Sequence, residues 1–125
     1  MKLLIVDDEP GIREVIKEYC LLENYKVIEA ENGEEAIEKV KNEDIDIIVL
    51  DIMMPKLDGY SALKEIKKIK NIPVILLSAR KEEFDKLMGF DLGSDDYLTK
   101  PFSPKELIAR IKAILKRTNN EIDEY

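Results

Sequence analysis

The sequence predicts an α/β architecture: a doubly wound sheet of five parallel strands. Three observations lead there. Short continuous apolar runs alternate, five times over, with stretches whose apolar residues recur every three or four positions. The apolar runs show no in–out alternation, as expected of strands covered on both faces. The periodic stretches begin or end at Pro, Gly, Asn, Asp or Ser, which start and stop helices.

Leu3-Leu4-Ile5-Val6 is the first run, and Asp7-Asp8-Glu9 comes directly after it. Pro10 opens a helix at a position where its missing N–H does no harm. Ile12, Val15, Ile16 and Tyr19 form that helix's apolar stripe. Cys20 extends the pattern and reads as a packed free thiol. Lys26 to Ala30 is the second strand. Asn32-Gly33 starts a helix with Ala36, Ile37 and Val40 inward. Ile45 to Leu50 is the third strand, and Asp51 ends it. Asp58 can cap a helix carrying Ala62, Leu63, Ile66 and Ile69. Val74 to Leu77 is the fourth strand, closed by Ser78. Glu82 to Leu92 reads as a helix ended by Gly93. Tyr97-Leu98-Thr99 is a short fifth strand before Lys100. Ser103-Pro104-Lys105-Glu106 is a capping box with Pro at the first helical position. The helix it opens carries Leu107, Ile111, Ile114 and Leu115 on one face. Periodicity lapses at Thr118, so residues 1–117 read as one domain and 118–125 as a linker or disordered tail.

Composition narrows the function. The chain has 125 residues, 45% of them hydrophobic, enough for one ordinary core. Its net charge of -7 argues against this chain gripping nucleic acid by itself, because phosphate contacts need a basic surface. It contains no histidine, which removes imidazole metal sites and a Ser-His-Asp triad. Its single cysteine excludes an internal disulfide. The apolar run at Leu3 to Val6 is too short for a signal peptide or a membrane span, so a cytoplasmic protein with no membrane association is expected.

The polar residues gather at one rim. Asp7, Asp8, Asp51, Ser78 and Lys100 all stand just beyond predicted strands, and an open parallel sheet binds ligands outside the carboxyl ends of its strands. If the first and third strands are neighbours, Asp7, Asp8 and Asp51 converge. Two unit charges about 4 Å apart repel by about 4 kcal/mol at an effective dielectric near 20. Three carboxylates therefore need a cation or must take up protons. Magnesium suits such oxygen ligands. Lys100 adds a point charge and Ser78 a hydroxyl. That set can neutralise a phosphoryl group in transfer, with one carboxylate as nucleophile.

With those residues assembled, the chain resembles the receiver domains of bacterial two-component response regulators, from Lys2 to about Arg117. The resemblance is carried by "VDDE" (Val6 to Glu9), "LDIMMPKLDG" (Leu50 to Gly59), "LLSAR" (Leu76 to Arg80) and "GSDDYLTKPFSPKELIARI" (Gly93 to Ile111). The last motif is similar to the OmpR/PhoB-type subfamily, whose members usually continue into a winged-helix DNA-binding domain. The resemblance implies a flavodoxin/receiver-like (βα)5 fold with strand order 2-1-3-4-5. It implies that Asp51 is phosphorylated by a sensor histidine kinase. It implies Mg2+ held by Asp8, Asp51, the backbone carbonyl of Met53, and Asp7 through water. Ser78 and Lys100 would contact the phosphoryl group, with a cis bond between Lys100 and Pro101, and Tyr97 would be an aromatic switch that turns inward.

Helical phase adds an observation. Phe84, Met88 and Leu92 share a stripe on the fourth predicted helix, while Phe90 lies about 160° from its centre. An aromatic residue off the core stripe suggests a partner surface. By the resemblance, Leu87, Phe90 and Ile108 would centre a homodimer formed on phosphorylation. Lys86, Asp95, Asp96, Glu106 and Arg110 would supply surrounding ion pairs, joined by Arg117. The output would be transcription control through a separate DNA-binding domain, or, as the alternative, protein contacts of a stand-alone receiver. Repeated turnover as a phosphatase of the haloacid dehalogenase class is disfavoured, because Met53 stands where that class needs a second Asp. A flavin-binding reading lacks the Ser/Thr/Gly-rich loops that would cradle a phosphate.

Overall fold

The strands that carry the acidic residues lie at the centre of the sheet. The computed structural model describes residues 1–54, 56–79 and 92–123. Its strands are Lys2–Val6 (β1), Lys26–Ala30 (β2), Ile47–Asp51 (β3), Val74–Ser78 (β4) and Asp96–Thr99 (β5). Its helices among the described residues are Pro10–Leu22 (α1), Gly33–Asn42 (α2), Gly59–Ile69 (α3) and Pro104–Asp123 (α4). The helix expected over 82–92 lies outside the described residues, apart from Leu92 itself. All strand pairs are parallel, in the order β2-β1-β3-β4-β5. Strand order therefore reverses between β1 and β3, and Asp7, Asp8 and Asp51 sit at that point.

Residue parity divides the core into two layers, because alternate side chains on a strand face opposite ways. Leu3, Ile5, Ile47, Val49, Ile75, Leu77 and Leu98 pack with Ile16 and Cys20 of α1 and with Leu107, Ile111, Ile114 and Leu115 of α4. Leu4, Val6, Ile48, Leu50, Val74, Leu76 and Tyr97 pack with Ala36 and Val40 of α2 and with Ala62, Leu63 and Ile66 of α3. The central strands β1, β3 and β4 thus need apolar residues at nearly every position, which produced the unbroken runs, while the edge strands β2 and β5 carry Glu29 and Asp96. Burial pushes the Cys20 thiol up to about 11, so it is a packed thiol rather than a reactive one.

Caps fall where the sequence places them. Asn32 accepts from the Glu35 amide at 2.9 Å and Asp58 from the Ser61 amide at 2.9 Å. The Ser103 hydroxyl accepts from the Glu106 amide at 3.4 Å. Other details differ from the sequence pattern. β3 begins at Ile47 instead of Ile45, because Asp46 turns its carboxylate to the Lys2 amide at 2.7 Å, just ahead of the ladder pair Leu3–Ile47. Val15 and Ile69, assigned to apolar stripes, are 42% and 37% exposed. α4 continues to Asp123, through residues read as the start of a tail at 118. The helix itself goes on because each added residue gains a backbone hydrogen bond and no Pro or Gly intervenes.

Two glycines make opposite demands. A Cβ on Gly59 would strike the Asp51 carbonyl oxygen and lie 2.6 Å from Ile52 Cα, so α3 can start against β3 only without one. A Cβ on Gly11 would meet nothing within 4 Å. Gly59→Ala should therefore lower unfolding free energy by about 3 kcal/mol, while Gly11→Ala should raise it by roughly 0.5 kcal/mol. Urea denaturation of both variants checks the contrast.

Candidate functional site

Asp51 is the last residue of β3, paired across from Leu77 of β4, and it is 2% exposed. Two main-chain bonds hold its backbone in place. The Ile52 amide donates to the Leu77 carbonyl at 2.9 Å, and the Gly59 amide donates to the Ile52 carbonyl at 2.9 Å. Together they pin both ends of the loop that leaves the strand. Asp7 comes directly after the last residue of β1 and is fully buried, while its neighbour Asp8 is exposed. Carboxylate oxygens of Asp7, Asp8 and Asp51 lie within 4.8 Å of one another.

Lys100 reaches this cluster from beyond β5. Its Nζ lies 3.0 Å from Asp7 Oδ2 and 3.4 Å from Asp51 Oδ1. The Lys100–Pro101 peptide is cis, as expected. The Lys100 amide donates to the Ser78 carbonyl at 2.7 Å, which ties the lysine to the end of β4. Ser78 is fully buried at that same end. The Met53 amide approaches Asp51 Oδ1 at 3.4 Å. The residues that the sequence placed at the strand ends therefore do meet at one rim.

The electrostatics come from this crowding. Burial, reinforced by the charge of Asp7, pushes the Asp51 carboxyl up to about 6; Lys100 and the Met53 amide pull only part of the way back. For Lys100, burial works against the ammonium. The hydrogen bond to Asp7 and the charges of Asp51 and Asp7 outweigh it, and its pKa rises above the ordinary value. Three carboxylates facing one ammonium leave an excess of negative charge in a largely buried place. A hard divalent cation with oxygen ligands fits that donor set.

Other expected residues are distributed differently. Tyr97 is already inward, 7% exposed and packed in the α2–α3 layer. Asp96 receives Arg110 Nη1 at 2.9 and 2.8 Å, and Arg110 Nη2 also reaches Glu106 at 3.2 Å. Asp95 turns the other way, accepting from the Val74 amide at 2.9 Å with Lys67 at 3.6 Å. Ile108, expected at a surface, is 7% exposed and packs in the α1–α4 layer. At the edge of its helix's stripe, it is covered by its own fold. Lys86, Leu87 and Phe90 lie outside the described residues.

One residue escaped the sequence reading. Arg13 donates from Nη1 to the main-chain carbonyl of Asp7 at 2.7 Å and from Nε to Glu29 at 3.2 Å. Its signal was available: a lone cation in the first turn of a helix, where the helix dipole disfavours positive charge.

A family model for the response regulator receiver domain matches residues 3–112. The alkaline phosphatase synthesis transcriptional regulatory protein PhoP of Bacillus subtilis is 49% identical over 118 residues, covering 94% of this chain and 49% of that protein. The chain spans about half the length of the curated relatives it matches. Among solved structures, the Francisella response regulator 1452 receiver domain aligns with a TM-score of 0.89 at 44% identity, covering 94% of this chain and 98% of that one. DrrB, a Thermotoga maritima OmpR/PhoB homolog, aligns with a TM-score of 0.86 at 35% identity, covering 94% of this chain and 53% of that one. On the strength of the matched span, and with relatives that are transcriptional regulators of the OmpR/PhoB type, this chain belongs to the response regulator receiver domain family.

Proposed function

We propose that this receiver is a phosphorylation-driven switch whose acceptor is Asp51, with a sensor histidine kinase as donor. The observation that carries the reading is the convergence of Asp7, Asp8 and Asp51 with Lys100 at the strand ends. A carboxylate oxygen of Asp51 attacks the phosphorus of a phosphohistidine. The P–N bond breaks, its electron pair stays on the imidazole, and an acyl phosphate forms on Asp51. Asp8, Asp51 and the Met53 carbonyl, with Asp7 through water, would hold Mg2+, which when bound offsets charge on the phosphoryl oxygens. Lys100 supplies a second positive charge beside Asp51, and the buried Ser78 hydroxyl is a donor for a phosphoryl oxygen. Seclusion of Asp51 from bulk water strengthens each of these interactions.

The new charge beside Ser78 and Lys100 is the input to the switch. Tyr97 shares β5 with Asp96, and Asp96 is clamped to Arg110 of α4. Movement at Lys100 is therefore one residue away from the strand that bears both. This supports an output through the face built from the 82–92 segment, β5 and α4, where a second phosphorylated copy would dock. Exposed ion pairs there contribute about 0–1 kcal/mol each and set register more than affinity. DNA would be contacted only by a separate winged-helix domain, in the cytoplasm. Among the described residues no helix is long and apolar enough to cross a membrane.

Acetyl phosphate with magnesium should add one phosphoryl group to the intact protein, mapped to Asp51 by mass spectrometry after borohydride trapping. Asp51→Asn should abolish it, and labelling that persists elsewhere in that variant would refute the assignment. Beryllofluoride with magnesium should shift the solution mass toward a dimer in the wild type and leave Asp51→Ala unchanged.

The raised Asp51 pKa has a definite sign. Below about pH 4 the carboxyl is protonated in both folded and unfolded chains and costs nothing. Between 3.8 and about 6 the unfolded chain gives up the proton first, so stability falls as pH rises through that window. The loss approaches about 3 kcal/mol without a metal. Asp51→Asn should therefore be the more stable protein at pH 7.5 in a chelator, with the gap closing near pH 4. Magnesium should stabilise the wild type and not the variant, as denaturation at both pH values will read.

A further inference from the structure

Arg13 performs no step in the phosphoryl transfer described above, yet the fold devotes a nearly buried cation to it. Its side chain is 12% exposed. It stands in the first turn of α1, which has no side-chain cap and no acidic residue. From there it folds back onto the turn that carries Asp7 and Asp8. Nη1 donates to the Asp7 carbonyl at 2.7 Å, and Nε donates to Glu29 of β2 at 3.2 Å. Glu31 lies 4.0 Å from Nη2, and Lys17 is 3.6 Å from the other Glu29 oxygen.

The Asp7 carbonyl needs this partner. The described ladder pairs end at Val6, with Ala30 on one side and Leu50 on the other. The Asp7 amide still finds the Ala30 carbonyl at 3.2 Å, but its own carbonyl lies past the last pair. Arg13 satisfies it with a charged donor. The Asp7 carboxylate is fixed from the chain side as well, accepting from the Glu9 amide at 2.9 Å. The turn is thus held at the amide, carbonyl and carboxylate of one residue, and Arg13 links that residue to β2.

We infer that Arg13 is a positioning residue: by clamping the Asp7 carbonyl to Glu29 it presets the Asp7–Asp8 turn to receive a divalent cation together with Asp51. This rests on the metal-binding reading above. It differs in sign from a purely electrostatic role. A positive charge near the acidic cluster opposes cation binding, so its removal alone would tighten magnesium. Loss of positioning would weaken it.

The test is calorimetric titration of the metal-free full chain with magnesium chloride at fixed ionic strength. Arg13→Met should bind magnesium about tenfold more weakly, the scale expected of groups that orient metal ligands. Arg13→Lys should also bind more weakly, because an ammonium lacks the fork that holds a carbonyl and a carboxylate together. Glu29→Gln, which keeps the arginine but loosens its anchor, should lose about threefold on the same reasoning, in part through its lost negative charge, so Arg13→Lys, which keeps the positive charge, decides the matter if Arg13→Met does not fold. In the metal-free protein, hydrogen exchange at the Glu9 amide should quicken in Arg13→Met. Affinity that is unchanged or tighter in the folded arginine variants overturns the inference and leaves the metal reading intact. A wild type that does not bind magnesium, like Asp8→Asn, removes the metal reading and this inference with it.

Discussion

The confinement of like charges at the carboxyl end of β1 and β3 governs this molecule. Asp7 and Asp51 are buried, Asp8 stands beside them, and Lys100 is the ammonium that bridges the first two. Burial, with the charge of Asp7 added to it, outweighs what Lys100 gives back, so Asp51 holds a proton more readily than an ordinary aspartate does. That imbalance costs stability in the folded chain, and it is also the source of its chemistry. A site short of positive charge attracts a metal ion and rewards any group that brings counter-charge with it.

The rest of the fold serves to hold that confinement in place. A parallel sheet must cover both faces, so the central strands β1, β3 and β4 are largely apolar up to the rim, and polarity concentrates beyond their ends. The reversal of strand order between β1 and β3 sends α1 and α3 to opposite faces of the sheet, so the acids stand where the two connections part. Gly59 lets α3 begin against the Asp51 backbone, and the Lys100 amide is tied to β4. The acids are thus fixed by main-chain contacts from three strands, which do not relax when their side chains repel.

Much of this was legible in the sequence, and the reasons are physical. Unbroken apolar runs such as Ile47 to Leu50 can only be doubly covered strands, and Asn32, Asp58 and Ser103 announced their helices by cap chemistry. Asp7, Asp8, Asp51 and Lys100 could be placed together at one rim because each stands at or just beyond the end of a strand. What escaped was set by three-dimensional neighbours. Ile108 lay at the edge of its helix's stripe and was set at a dimer surface by the resemblance, yet it is 7% exposed and packs in the α1–α4 layer. Asp95, which the resemblance set among the ion pairs of a dimer surface, lies 3.6 Å from Lys67 of α3. Arg13 acts on a carbonyl, and main-chain acceptors leave no trace in a pattern of side chains. α4 runs on to Asp123, past the end of the apolar period at Thr118, because its backbone ladder needs no apolar side chain.

The bond between Lys100 and Asp7 joins residues 93 positions apart. The first and last strands must both be in place before that contact closes, and so long a loop carries a larger closure entropy than a local contact does. An incompletely folded molecule therefore has its acids without their built-in counter-ion. Charge balance at the rim is a property of the completed sheet rather than of any one strand.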